Sequence, residues 1–360
     1  MSKKIREKKS TLFSLLFIAA VILLTLWSLS RAEDPDKLIK DIQNASPVFL
    51  VLAVLCVLAF ICLQGVVIWL QCRSLKLQES LWRCVLVAFH GYFYCSITPM
   101  QSGGPPIQIY DLKKEGIHIS VGTLIILMET FLFKVVLVIL SLGMLLFGHR
   151  LMRRYIWPGL FFFILGTILT CGIVVLIYLS MFHSGLLRRL ILWLFRKLEK
   201  HHLVRSKKGR VEKLISAMDK YRAAAGYFRN QRKLAVLLLA VTMLQRLAYF
   251  STTYFIYRSF GLYGVSYWTI VLLQAAISIC ADMLPIPGGV GITEALFQVF
   301  FRDIFGTMTI PGLCLSRGIT FYAQLLFCGI FSIAARVAFR VDKSRLGFFQ
   351  TSFIVPEDAP

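Results

Sequence analysis

The chain has 360 residues, 58% of them hydrophobic, and carries 40 Lys and Arg against 18 Asp and Glu for a net charge of +22. A soluble domain is usually about 45–50% apolar, so a soluble enzyme is excluded. The basic residues also sit in short connections beside apolar runs, where they set orientation and attract anionic lipid, rather than on a surface for nucleic acid.

Crossing a bilayer takes about 20 helical residues. Runs of that kind predict full spans at Thr11–Ser30, Pro47–Leu70, Val121–Gly148, Ile156–Phe182, Leu234–Tyr257 and Thr309–Phe339. The first is long for a signal-peptide core and no small-residue cleavage site follows Ser30, so it reads as a retained span. Two further apolar segments, Leu81–Thr98 and Trp268–Leu284, run into stretches dense in Pro and Gly. These are TPMQSGGPP at Thr98–Pro106 and LPIPGGVG at Leu284–Gly291. Backbone without internal hydrogen bonds is tolerated at membrane depth only where protein or a wet cavity covers it.

Charge sets the topology. Lys3, Lys4, Arg6, Lys8 and Lys9 keep the N-terminus in the cytosol. The segment 183–233 holds fifteen Lys and Arg against Glu199, Glu212 and Asp219, so it too is cytosolic. Within it Leu186–Leu198 has helical apolar spacing and is expected on the membrane surface. Arg336, Arg340, Lys343 and Arg345 place the C-terminal end on the same side. These constraints agree only if residues of about 81–110 and 268–301 are re-entrant hairpins that return to the face they left. The cost is an outside location for Arg150, Arg153 and Arg154. The expected architecture is therefore an all-α polytopic membrane protein with about six full spans and two oppositely oriented hairpins, an inverted-repeat plan found in carriers. It forms one membrane domain over 1–346, with a short tail at 347–360.

Ionisable residues inside spans cost about 2.5–3.5 kcal/mol each on lenient insertion scales and face a cavity or a partner. Glu129, Lys134 and Arg246 are of this kind. One reading pairs Glu129 with Arg246 or Lys134 as a structural lock; the other lines a transport path with them. Asp282, Glu294 and Arg317 surround the second break, and Gln108 follows the first. Helices starting after Gly103-Gly104 and Gly288-Gly289 would aim free N–H groups at the membrane interior, an arrangement suited to phosphate. Otherwise the glycines serve tight helix crossing and Glu294 caps its own helix. His90 reads as a satisfied interior histidine. Tyr110 and Asp111 either line the exit of the first break or form a solvated helix end. The nine cysteines contain no Cys-x-x-Cys pair and lie mostly within spans as small apolar filler, so neither a metal nor a disulfide is expected. No nucleophile elbow, zinc-protease helix or Walker loop is present, so no catalytic residue or cofactor is assigned.

The stretch Pro285-Ile286-Pro287-Gly288-Gly289-Val290-Gly291-Ile292-Thr293-Glu294 resembles the Pro-x-Pro-Gly-Gly-x-Gly-x-x-Glu signature of the lysylphosphatidylglycerol synthase transmembrane family. Pro99, Gly103-Gly104-Pro105, Glu129 and Arg317 also fall where that family carries polar or breaking positions, whereas Lys134 stands where the resemblance implies an acid. The likeness runs from about residue 10 to 340. It implies a flippase-like region of the bacterial inner membrane that moves a phospholipid or lipid-linked head group between leaflets. Full-length synthases add a C-terminal domain that transfers lysine to phosphatidylglycerol. No such domain is visible after the last span, so aminoacyl transfer is the alternative activity, in this chain or through a separate synthase partner. A small-solute transporter is a third reading. The expected partners are membrane phospholipids, with homo-oligomerisation left open. The expected binding set is Gly103, Gly104, Gln108, Glu129, Arg246, Asp282, Gly288, Gly289, Glu294 and Arg317.

Overall fold

The computed structural model describes residues 35–98, 102–182, 226, 231–282 and 291–338. The expected first span, Gly288 and Gly289, nearly all of the basic segment and the tail lie outside the described residues. Every regular element described is helical.

After a short helix α1 (Pro35–Gln43), α2 (Pro47–Ser74) starts with Pro47 in its first turn, where a missing N–H costs nothing. Its 28 residues make a rod of about 42 Å, ample for a bilayer. Helix α3 (Leu81–Ile97) begins at Ser80, whose hydroxyl accepts from the Arg83 N–H at 3.3 Å. It ends at Thr98, held extended at φ −118°, ψ 143°, as a residue before proline must be. The break closes on itself: Thr98 Oγ1 donates to the Tyr94 carbonyl at 2.6 Å and accepts from the Gly103 N–H at 2.9 Å. Helix α4 (Gly104–Lys114) then runs back along α3. A Cβ on Gly104 would lie 2.2 Å from Cys95 Sγ and 3.0 Å from the Gly91 carbonyl oxygen. The glycine thus sets the arm-to-arm distance.

Helix α5 (Ile119–Phe147) is capped by His118 Nδ1, which accepts from the Ser120 N–H at 3.2 Å. A π turn at Met152–Ile156 and a 3₁₀ turn at Trp157–Gly159 lead into α6 (Leu160–Phe182). The outer side of α6 exposes Phe161, Ile168, Val175 and Leu176, as a lipid-facing helix does.

The second half repeats the plan. Helix α7 (Arg232–Ser259) has the 28 residues of α2. Helices α8 (Tyr267–Asp282) and α9 (Ile292–Phe305) match α3 and α4 as two short arms that pack on each other. Helix α10 (Thr309–Arg317), a π turn at Gly318–Ala323 and α11 (Gln324–Ala338) together match α5.

Five described stretches are long and apolar enough to cross a membrane: Pro47–Ser74, Ile119–Phe147, His149–Met181, Arg232–Ser259 and Ile292–Ile333. The last is not one rod. Gly306, at φ +55°, ends α9 and redirects the chain, so the crossing portion is α10–α11. The predicted spans from Pro47 onward thus correspond to α2, α5, α6, α7 and α10–α11.

The halves are interlocked. Helices α2 and α7 form the most extensive helix pair, and α11 of the second half packs on α3 while α5 and α6 of the first pack on α8. Gly65 lets α2 approach α3, since a Cβ there would lie 2.5 Å from the Val85 Cα. Phe60, Ile61, Phe250, Phe300 and Phe301 fill the centre. Lipid tails are as apolar as leucine, so close packing, not hydrophobicity alone, holds such helices together.

Candidate functional site

Between the halves lies a cavity of about 520 Å³, walled by α2, α3, α4, α5, α7, α8, α9, α10, the π turn and the start of α11. Its polar lining includes Gln64, Gln108, Glu129, Lys134, Arg246, Gln274, Asp282, Thr293, Ser316, Arg317, Thr320 and Gln324. Phe60, Tyr92, Phe133, Tyr249, Phe297 and Phe321 supply aromatic surface. A space of this size is typical of a small-molecule or head-group site.

The charges are arranged in three ways. Lys134 on α5 forms an ion pair with Asp282 at the end of α8, tying the first half to the second. Arg317 Nε donates to Glu294 Oε1 at 2.8 Å. The other oxygen of Glu294 accepts from the Gly291 N–H at 2.6 Å, closing the first turn of α9. Glu294 is therefore both cap and ion-pair partner. Arg246 has no carboxylate within ion-pair distance among the described residues. Its guanidinium lies 3.7 Å from the Phe133 ring centroid and 5.0 Å from that of Phe60, and its Nε is buried without a hydrogen-bond partner. Glu129 faces the Gln64 side chain and lies within electrostatic reach of Arg246.

The structural lock expected at Glu129 thus takes neither predicted form. Lys134 turns away to Asp282, 148 residues along the chain, and Arg246 is held by aromatic faces, a geometry that suits guanidinium. What the cavity receives is a cation and a carboxylate that attract each other electrostatically but form no direct ion pair among the described residues.

Of the expected binding residues, Gln108, Glu129, Arg246, Asp282 and Arg317 line the cavity, and Glu294 reaches it through Arg317. The two first-break glycines do other work. The Gly103 N–H is taken by Thr98, and Gly104 is a point of close helix approach. Gly288 and Gly289 lie outside the described residues. Asp111 is not a solvated helix end: it is fully buried and hydrogen-bonded to His90 Nδ1, so His90 is interior as expected, with one of its two ring nitrogens satisfied. Gln64, Gln274 and Gln324 were missed. Neutral amides in apolar helices attract no attention, although each here faces the cavity.

A π turn directly after Arg317 puts Thr320 and Gln324 on the cavity wall, and such turns recur at functional sites.

The family model for the lysylphosphatidylglycerol synthase TM region matches residues 12–328. The chain belongs to this family. Membership in the lysylphosphatidylglycerol synthase TM family fixes the class of molecule as a multi-pass membrane protein, and the match spans both halves that build the cavity. No curated protein matches the chain.

Proposed function

We propose that this protein carries a phospholipid or lipid-linked head group between leaflets of a bacterial inner membrane. The observation that supports it is the charge arrangement of the cavity. Arg246 lies among apolar helices with no carboxylate within ion-pair distance among the described residues, and Glu129 faces the same space. A guanidinium backed by aromatic rings suits a phosphate. A carboxylate lining the same cavity suits an ammonium, so a head group bearing both charges is the best match, an aminoacylated phospholipid among them.

In this reading the arms α3–α4 and α8–α9 are re-entrant hairpins entering from opposite faces, with both termini cytosolic. The head group travels through the polar seam while its acyl chains stay in lipid. The cavity then replaces water around the charges, which lowers the cost of taking them through hydrocarbon.

The test is translocation of fluorescent phospholipids in vesicles reconstituted with the purified protein. Protein-dependent movement, fastest for head groups carrying both phosphate and ammonium, is the expected outcome. Rates equal to those of empty vesicles for anionic, zwitterionic and lysylated lipids would reject the proposal.

A further inference from the structure

The seam between α3 and α4 carries a ladder of ionisable groups that the cavity does not use. Arg83, in the first turn of α3, pairs with Glu115 at the end of α4. Deeper along the seam, Lys114 Nζ lies 3.6 Å from Asp111 Oδ1, and Asp111 Oδ2 is hydrogen-bonded to His90 Nδ1. The next turn of α4 brings Gln108, which lines the cavity and touches the position where a Cβ on Gly91 would stand.

The dyad is deeply buried, with His90 3% and Asp111 0% exposed. Yet His90 Nε2 has no hydrogen-bond partner among the described residues, and Asp111 Oδ1 has only the Lys114 ammonium at 3.6 Å. A purely structural His–Asp pair in a hairpin would be expected to use its second ring nitrogen, because an unmade hydrogen bond on a buried polar atom costs about 1–3 kcal/mol. A ring nitrogen left open beside a carboxylate is instead a place to load a proton. His is the side chain whose charge changes most readily near neutral pH.

We infer that His90 and Asp111 form a proton-loading pair that couples movement of the head group to a proton gradient. The inference rests on the carrier reading above and adds its driving force. A proton arriving along the Arg83–Glu115 end of the seam adds to His90 Nε2. The imidazolium that results keeps its Nδ1–H on Asp111. Release on the cavity side, where Gln108 and Glu129 stand, restores the neutral ring. No covalent bond to a heavy atom changes, and one proton crosses per cycle.

The charged and titratable neighbours come from each packed element. Helix α4 brings Lys114, Tyr110 and, at its end, Glu115. Helix α3 itself carries Arg83, Cys84, Cys95 and Tyr94, the last edge-on to the His90 ring at 5.1 Å. Helices α2 and α11, which pack on α3, carry Cys72 and Cys328 with the neutral Gln64, Gln71 and Gln324, and Glu129 of α5 lines the cavity.

The experiment uses the full chain in vesicles of phosphatidylethanolamine and phosphatidylglycerol that hold a fluorescent phospholipid and an internal pH dye. A gradient of one pH unit is imposed and both signals are followed. Coupling at one proton per lipid predicts leaflet asymmetry of the label approaching about tenfold, the equilibrium ratio for one unit, together with protein-dependent proton flux. Asp111→Asn and His90→Gln should abolish the asymmetry and the flux while the label still equilibrates, which also reports that they are folded. Wild-type label that equilibrates without asymmetry or flux overturns the coupling and leaves the carrier reading intact. If the label moves in no sample, the carrier reading fails, and the dye decides: flux lost in Asp111→Asn upholds the proton path, and absent flux overturns it. Should both variants fail to insert, wild-type asymmetry alone upholds or overturns the proposal.

Discussion

Glu294 and Arg317 join across the turn between α9 and α10, the carboxylate accepting from Arg317 Nε at 2.8 Å while its second oxygen holds the Gly291 N–H at 2.6 Å. One side chain thereby fixes both the start of α9 and the cavity-facing cation. The two jobs separate by mutation.

Glu294→Gln keeps a side-chain acceptor for the cap and removes the charge. Glu294→Ala removes both. The expected loss of stability is about 1 kcal/mol for the cap alone, and more where the ion pair to Arg317 is also lost. Thermal unfolding in detergent should therefore rank wild type above Gln above Ala. Transport at matched abundance should follow the same order.

Lys134 and Asp282 tie α5 to α8, so single neutralisations should hurt more than the double one. Lys134→Met alone leaves Asp282 unpaired, and Asp282→Asn alone leaves Lys134 unpaired. The double variant leaves neither, and a coupling of about 0.5–3 kcal/mol is expected from the cycle. Additive losses in thermal unfolding would show that the pair does not hold the halves together.

Arg246→Lys should behave almost as badly as Arg246→Met in transport, by at least about tenfold. An ammonium cannot keep the flat stacking on Phe133 or offer a forked pair of donors to a phosphate. Head-group titration of the intrinsic fluorescence should show weaker binding of anionic phosphate groups in both variants. Full activity in Arg246→Lys would mean that charge alone is used.

Gly91→Ala and Gly104→Ala test different things although both lie on the hairpin seam. At Gly91 a Cβ meets the Gln108 side chain at 2.3 Å, and a side chain can swing away; transport should change with little effect on stability. At Gly104 it meets Cys95 Sγ and the Gly91 carbonyl, which is backbone. Overpacking there should cost about 1–3 kcal/mol, read as a lower melting temperature with both arms loosened.

Backbone features were legible in the sequence because they follow from local chemistry. Thr98 had to be extended before Pro99, and the helix had to restart near Pro105. His90 was legible as an interior residue, and capping of its own helix was one of two readings open for Glu294. Pairings across the fold were not. Nothing near Lys134 points to Asp282, because the contact exists only once α5 and α8 pack. Asp111 at a Lys-rich helix end has the local look of a solvated acid, and only the return of α4 along α3 buries it against His90. The aromatic contacts of Arg246 stayed hidden for the same reason: no charge pattern announces rings.

The π turn at Gly318–Ala323 packs an extra residue into one helical loop immediately beyond Arg317. Such a surplus can be handed along the helix, and each side chain it passes swings by about 100° about the axis, the angle one residue occupies. Thr320 and Gln324, both on the cavity wall, would then turn about the axis together while the ends of α10 and α11 stay anchored in their neighbours. The helix has slack stored where a passing cargo would need it.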